Sequence, residues 1–313
     1  MTSTCGRGTA ALVLSASLFV ACGGYVDLEA NGNSGGAPDA GSSGVSGAGS
    51  SGASGTGGGS DSYAGPFKIL ILSTSLGDFR HDSIANCQRM LADLGQTPDD
   101  KMPAGTKPGS QFTTVIATDD LADFTESGLK DYGTLFWCSP IGTVFSNNPL
   151  VPSKTAAAVA MSALQGYIEG GGAWCGVHSA TDFEKTGGFP WYTNTLVGGY
   201  LDTFLPDGTS GTVQVEAAYA DHPVMRSVPA TWPVRDEWFR MNRDIGAQPG
   251  FQILARLATS TDNRPVVWIK DFGASSARMF YTIRGHAPAV YGEQEFRQLV
   301  LSGILWATHR LEK

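Results

Sequence analysis

Three short runs that are apolar almost throughout constrain this chain more than any other feature: Phe67-Lys-Ile-Leu-Ile-Leu-Ser-Thr74, Gly133-Thr-Leu-Phe-Trp-Cys138 and Ala173-Trp-Cys-Gly-Val-His178. Each is too short for a buried helix and lacks the alternation of a half-exposed strand, so each reads as a strand covered on both faces. The covering helices are visible too. Asp82–Leu94 puts Ile84, Cys87, Leu91 and Leu94 on one helical face, and Lys154–Glu169 repeats Ala160, Leu164, Tyr167 and Ile168, with Ser153 to cap its start and Gly170-Gly-Gly172 to end it. Gln111–Ala117 is a further expected strand. The succession strand, helix, strand, strand, helix, strand predicts an α/β domain with a parallel sheet and helices on both faces.

From about Thr181 to Asn242 the periodicity weakens to one expected strand, Gly211–Ala217, amid tryptophan, tyrosine and proline. This stretch reads as an insertion that shapes a pocket. Regularity returns with Phe251–Leu257, Arg264–Lys270 and Ala277–Ile283, three strands separated by short polar turns. A helix is expected over Glu293–His309, with Phe296, Val300, Gly303, Ile304 and Ala307 inward. Phe136, Trp137 and Trp174 read as core.

The front of the chain has a different composition. Met1–Cys22 carries Arg7 and then the apolar run Ala10–Ala21, too short to span a bilayer. It ends in Leu18-Phe-Val-Ala-Cys22, which resembles the lipobox of bacterial lipoproteins; a plain secretion signal is the simpler alternative. Residues 23–64 form a Gly/Ser-rich linker with almost nothing to bury, expected to be disordered with a reach of roughly 30–40 Å. Residues 65–313 are left as one folded domain. The expected location is the bacterial cell envelope, periplasmic or cell-surface, with the membrane reached through a lipid anchor at Cys22. The charge balance of 21 Lys+Arg against 29 Asp+Glu, net −8, offers no basic stripe to a phosphate backbone, so nucleic acid is not an expected partner. Past Cys22 the chain keeps Cys87, Cys138 and Cys175, an odd number without CxxC spacing, so neither a zinc knuckle nor a disulfide framework is expected. Cys138 and Cys175 read as buried structural cysteines, with a single disulfide left open.

The chemical signal lies in the histidines. The chain has 5, and His81, His178 and His286 each follow an expected strand closely. The carboxyl ends of parallel strands line the crevice where ligands bind, so these imidazoles are predicted to converge. His222, in Ala220-Asp-His-Pro223, and the pair Asp236-Glu237 are further acid/base candidates. Imidazole with carboxylate suits zinc or a similar divalent metal, and equally suits metal-free proton transfer near neutral pH. The structural alternatives are a surface role for each loop histidine, a turn at His222-Pro223 and a solvated pair at Asp236-Glu237. His309 falls in the last helical turn, where a cation complements the helix dipole. Trp191, Tyr192, Trp232 and Trp238 are consistent with an aromatic wall for a sugar ring and equally with packing.

Gly77-Asp-Phe-Arg-His-Asp-Ser-Ile84, Gly170-Gly-Gly-Ala-Trp-Cys-Gly-Val-His178, Trp191-Tyr192 followed by Leu196-Val-Gly-Gly199, Asp221-His-Pro223, Asp236-Glu237 and Arg278-Met-Phe-Tyr-Thr-Ile-Arg-Gly-His286 with Trp306-Ala307 follow one another in order. Together they resemble the ThuA (trehalose utilisation) family across residues 66–311. The resemblance implies a class I glutamine amidotransferase-like fold, a flavodoxin-like three-layer sandwich with a mostly parallel central sheet, and a link to disaccharide or keto-sugar metabolism. The amidotransferases place a nucleophilic cysteine on a tight turn after a strand. By the resemblance His178 occupies that turn and Cys175 lies three residues earlier, so cysteine-dependent glutamine hydrolysis is not expected. The family often carries a histidine soon after its Leu-Val-Gly segment; Tyr200-Leu-Asp-Thr-Phe204 has none, with Asp202 as the candidate substitute and an altered site as the alternative.

The resulting expectation is a lipid-anchored, carbohydrate-related protein with a pocket built from His81, His178, His222, Glu237 and His286. His178, His286, Glu237 and Asp236 are the catalytic candidates, and His81, His178, His222 and His286 the metal candidates. Arg80, Trp191, Tyr192 and Trp238 are the substrate-binding candidates for a small-molecule carbohydrate. A non-catalytic sugar-binding surface module is the alternative.

Overall fold

Among the described residues of this computed structural model, which are 65–77, 79–258 and 264–312, nine strands form one sheet. The expected signal and linker segments, with Cys22, lie outside the described residues. The strands are β1 (Phe67–Leu72), β2 (Phe112–Ile116), β3 (Thr134–Cys138), β4 (Ala173–Val177), β5 (Leu201–Val215), β6 (Thr231–Met241), β7 (Phe251–Leu257), β8 (Pro265–Asp271) and β9 (Arg278–Thr282), in the order β2-β1-β3-β4-β9-β8-β7-β5-β6. The three apolar runs are β1, β3 and β4, side by side, with every residue of β3 and β4 buried. β2, β1, β3, β4 and β9 are all parallel to one another.

Four helices accompany them: α1 (Ile84–Gly95), α2 (Glu126–Leu129), α3 (Lys154–Glu169) and α4 (Gln294–Ala307). α3 starts where expected, with Ser153 Oγ accepting a hydrogen bond from Ala156 N at 3.0 Å. α1 and α4 touch, and α4 lies on β4 and β9. A Cβ at Gly303 would meet the Phe280 ring at 2.5 Å, so the close approach of α4 to β9 requires a glycine there. Trp137 points away from Cys138, as alternation along β3 dictates. It joins a buried aromatic layer in which Trp137 and Trp174 have ring centres 5.8 Å apart, and Phe183 and Tyr192 5.0 Å apart. No helix among the described residues is long and apolar enough to cross a membrane.

The structure corrects the expected sheet in one respect. Half of its strand pairings are antiparallel, from β9 through β8, β7 and β5 to β6, so the sheet is not mostly parallel. The cause is connection length. Only residues 258–264 join β7 to β8, and only 272–277 join β8 to β9, too few for the dozen or more residues of a parallel crossover.

The stretch read as an irregular insertion is also more ordered than expected. β5 and β6 pair along a long antiparallel ribbon, and shifts of register between Leu205 and Thr209 leave Pro206-Asp207-Gly208 out of the regular ladder. β6 alternates, with Trp232, Val234, Asp236 and Trp238 buried.

The cysteines resolve into one disulfide, Cys87–Cys138, which joins α1 to the end of β3 with Cα atoms 6.0 Å apart. Cys138 is buried and structural, as expected, and the bond is the single disulfide that the sequence leaves open. Cys175 is buried and free.

Candidate functional site

His81 follows β1, His178 follows β4 directly and His286 follows β9, and their ring nitrogens gather so that one from each lies within 4.8 Å of the others. The predicted convergence at the carboxyl ends of parallel strands is what the fold produces. His178 has a φ of +52°, a conformation costly for a residue with a side chain, and β9 holds it there. Tyr281 Oη donates to the His178 carbonyl, and His178 Nδ1 lies 3.1 Å from the Ile283 carbonyl oxygen. A carbonyl can only accept, so Nδ1 carries the proton and Nε2 turns its lone pair towards His81 Nε2, 2.9 Å away. Ser179 Oγ stands 3.4 Å from His81 Nδ1.

Burial, together with the neighbouring imidazoles, keeps two of these rings neutral. It pushes His81 down to about 4, helped by nearby His286 and opposed by a hydrogen bond to the Ser139 backbone. It holds His178 well below the usual imidazole range, with His81 adding to the effect and Ile283 opposing it. Neutral imidazole is the form that ligates a metal.

Carboxylates come from the ribbon. Glu237 Oε2 is 3.5 Å from His178 Nε2 and half-buried, and burial raises its pKa while His286 opposes the rise. Asp207 Oδ1 is 2.9 Å from His286 Nδ1, a close contact lying off the line of a hydrogen bond. Asp236 serves the backbone instead: Oδ2 accepts from Gly285 N at 3.1 Å, and Oδ1 from His286 N at 3.2 Å and Glu237 N at 3.0 Å. Burial raises its pKa, and the Arg284 guanidinium, whose Nε is 3.4 Å from Oδ2, draws it back. Arg284 is itself fully buried and donates to Glu293 at 2.7 Å. Between these groups Gly285 has a φ of +122°, and its carbonyl accepts from Ser83 Oγ at 3.0 Å and Tyr291 Oη at 2.9 Å. A Cβ there would lie 2.7 Å from Tyr291 Oη, so the turn that presents His286 needs a glycine.

The expected set is thus trimmed and extended. His222 does not join the cluster. It packs against Trp306 with ring centres 5.4 Å apart, in a cavity of about 870 Å³ shared with Arg278, which begins β9 at the end opposite His286. Asp236 is a positioning residue. Tyr192 and Trp238 are fully buried, donating to the Ala180 and Thr209 carbonyls at 2.7 Å each, so they are core and not a sugar platform. Trp232 is buried too, and half-buried Trp191 stacks on Phe189 at 5.7 Å. Arg80 is exposed and donates to the Ser73 carbonyl at 3.1 Å. His309 lies just past α4, 2.7 Å from the Ser276 carbonyl, in a structural role.

Asp202 pairs with Arg240 at 2.8 Å, and the acid that meets the cluster is Asp207, five residues later. Sequence reasoning missed Asp207, Ser179 and two aromatics. The ring centre of Phe79, 54% exposed, is 4.8 Å from that of His81 with the two planes at right angles, and the ring centre of buried Phe239 is 4.7 Å from that of His178. Phe79 stands within the block that carries His81, and Pro206-Asp207-Gly208 has the composition of a turn or bulge; these were the available signals.

Three inward nitrogens with a carboxylate beside them match the donor set of a zinc site that keeps a position open. The carbonyl behind His178 is the outer partner such a ligand uses, and the Asp207 carboxylate lies close to the His286 ring.

A sequence model of the ThuA family, described as trehalose utilisation, matches residues 68–307. Among solved structures, the chain is similar to a ThuA-like protein from Bacteroides uniformis ATCC 8492, at 21% identity, over 80% of this chain and 95% of that one, with a TM-score of 0.58. It is also similar to two cytoplasmic proteins from Salmonella typhimurium, at 14% and 12% identity, each over 79% of this chain and 100% of the other, with TM-scores of 0.52 and 0.51. At these identities the likeness shows the fold alone. No curated protein matches the chain.

Proposed function

The chain belongs to the ThuA family, whose description ties it to carbohydrate utilisation, and from that premise we propose that its domain acts on a disaccharide or keto-sugar at the imidazole cluster. The observation that carries the reading is the meeting of His81, His178 and His286 within 4.8 Å, with Glu237 3.5 Å from His178. His81, His178 and His286 would hold a divalent ion such as zinc, which supplies Lewis-acid polarisation of a sugar carbonyl or hydroxyl when bound. Glu237 moves the proton at that oxygen or its neighbouring carbon, and its raised pKa suits exchange nearer neutral pH. Arg80 and Phe79, exposed beside His81, form the rim that meets the sugar.

Cysteine chemistry fits poorly. Cys175 is buried and its thiol is pushed up to about 12 by burial, and the other two described cysteines are bonded to each other. The parallel half of the sheet, with α1 and α4 against each other and α4 on β4 and β9, favours a flavodoxin-like, class I glutamine amidotransferase-like origin for the fold. An envelope location with a lipid at Cys22 belongs to the same proposal, and the Cys87–Cys138 disulfide favours an oxidising compartment over the cytosol.

Metal analysis of protein purified without an affinity tag, followed by turnover of oxidised disaccharides with His178→Ala as control, tests the reading. Stoichiometric metal and product formation that His178→Ala abolishes are expected. Metal-free protein that still turns over removes the ion, and sugar binding without any product makes the domain a binding module.

A further inference from the structure

We propose that the Cys87–Cys138 disulfide is a positioning device for His81, fixing the α1 side of the cluster against the β4–β9 side; the inference rests on the reading that this cluster is the working site. The three imidazoles are supported unequally. β9 and the turn after it hold His178 through the Ile283 carbonyl and Tyr281, and hold His286 through Asp236 on its backbone and Asp207 on its ring.

His81 has no such strand behind it. It enters α1, where its carbonyl accepts from Ile84 N at 3.3 Å, and its ring meets the Ser139 backbone and Ser179. Its place is set by where the first turn of α1 sits relative to the end of β3. The disulfide spans that gap. Cys87 N donates to the Ser83 carbonyl at 2.9 Å, tying the bonded helical position to the turn beside His81, and Ser83 Oγ reaches the Gly285 carbonyl at 3.0 Å. At the other end Cys138 closes β3 and is followed by Ser139, whose φ is +49° and whose backbone bonds His81. His81, Ser83, Cys87, Cys138 and Ser139 thus form a closed ring of covalent and hydrogen-bonded links around one imidazole. Cutting the disulfide removes the one covalent link of that ring and leaves the α1 side held by packing and by single hydrogen bonds, Ser83 Oγ to the Gly285 carbonyl and the His81 ring to His178 and Ser179.

Carbethoxylation of the full chain with diethyl pyrocarbonate in the presence of a chelator, mapped residue by residue by mass spectrometry, tests this on wild type and Cys87→Ala/Cys138→Ala. His81 is buried, so it reacts slowly in wild type. In the double variant its rate is expected to rise about tenfold or more, the signature of local opening. His178 and His286 should change far less, and His222 and His309, away from the disulfide, should not change. An unchanged His81, or a parallel rise at all five histidines, overturns the proposal, since a merely structural bond would loosen the domain as a whole.

If the double variant fails to fold, wild type treated with an excess dithiol gives the same comparison. Cys87 and Cys138 then take up two electrons and two protons, the dithiol closes to its own disulfide, and thiol titration verifies the step. Because the comparison is run under chelation, a wild type that proves metal-free defeats the metal reading and leaves this one standing.

Discussion

The parallel and antiparallel halves of the sheet supply different chemistry to one site. β1, β4 and β9 lead into His81, His178 and His286, whereas the β5–β6 ribbon brings Asp207, Asp236 and Glu237. β9 is the seam, paired in parallel with β4 and antiparallel with β8. His178 and His286 thus start from buried strands, where position is fixed by packing, and His81 comes in on the turn that enters α1. The acids start from a ribbon with an exposed face and a break in register, where position is easily altered. The nitrogen cluster is therefore the more rigidly held part of the site and the ribbon the part more easily moved.

Removing an imidazole should therefore cost most. His178→Ala is expected to lower turnover by about 10²–10⁴-fold and to abolish metal binding, checked by product assay and metal analysis on folded protein. The comparison between halves breaks if Glu237→Gln strips the metal as completely. Asp236→Ala comes next and acts on stability. It removes three backbone hydrogen bonds and leaves Arg284 buried with Glu293 as its remaining acid, so a loss of about 3–5 kcal/mol is expected in urea unfolding.

The two halves also differed in how openly the sequence declared them. Continuous apolar runs made β1, β3 and β4 legible, and with them the placing of His81, His178 and His286 at strand ends. β7, β8 and β9 were legible as strands, but their direction was hidden in connection lengths that only a comparison with the needs of a crossover reveals. β6 was missed because Asp236 occupies a core-facing position of the alternation, and a buried carboxylate there becomes intelligible only beside Arg284 and the Gly285 and His286 amides. His222 and Asp202 were misplaced for the opposite reason: their residue types suited the site, and only three-dimensional position shows that one lies towards the far end of β9 and the other is paired with Arg240.

Acid titration separates the halves by sign. His81 accepts its proton at about 4 when folded and at about 6.5 when unfolded. Between those values the unfolded chain binds more protons, so stability is full above about 6.5 and falls as the pH drops towards 4, by about 3 kcal/mol for this group alone. His178, also depressed, adds to the fall. Asp236 and Glu237 act oppositely, since burial raises their folded pKa values and the folded chain keeps their protons longer. Chemical denaturation of chelated protein across this range should show stability rising with pH. A flat profile would mean that the carboxylate half offsets the histidine half completely.

The smallest expected effect belongs to Asp207→Asn. Asp207 touches His286 at 2.9 Å, yet its side chain is 53% exposed and sits in the register break of β5, so it contributes little to packing. Loss of its charge weakens the support beside one imidazole while leaving all three in place. Metal affinity should fall by about tenfold, the lower end for a partner of a ligating histidine, with urea stability unchanged. Added salt should narrow the gap to wild type, because the field of the exposed Asp207 carboxylate is screened whereas the buried His81–His178 contact is not. A loss as large as that of His178→Ala would show that the ribbon, and not the strand ends, governs the site.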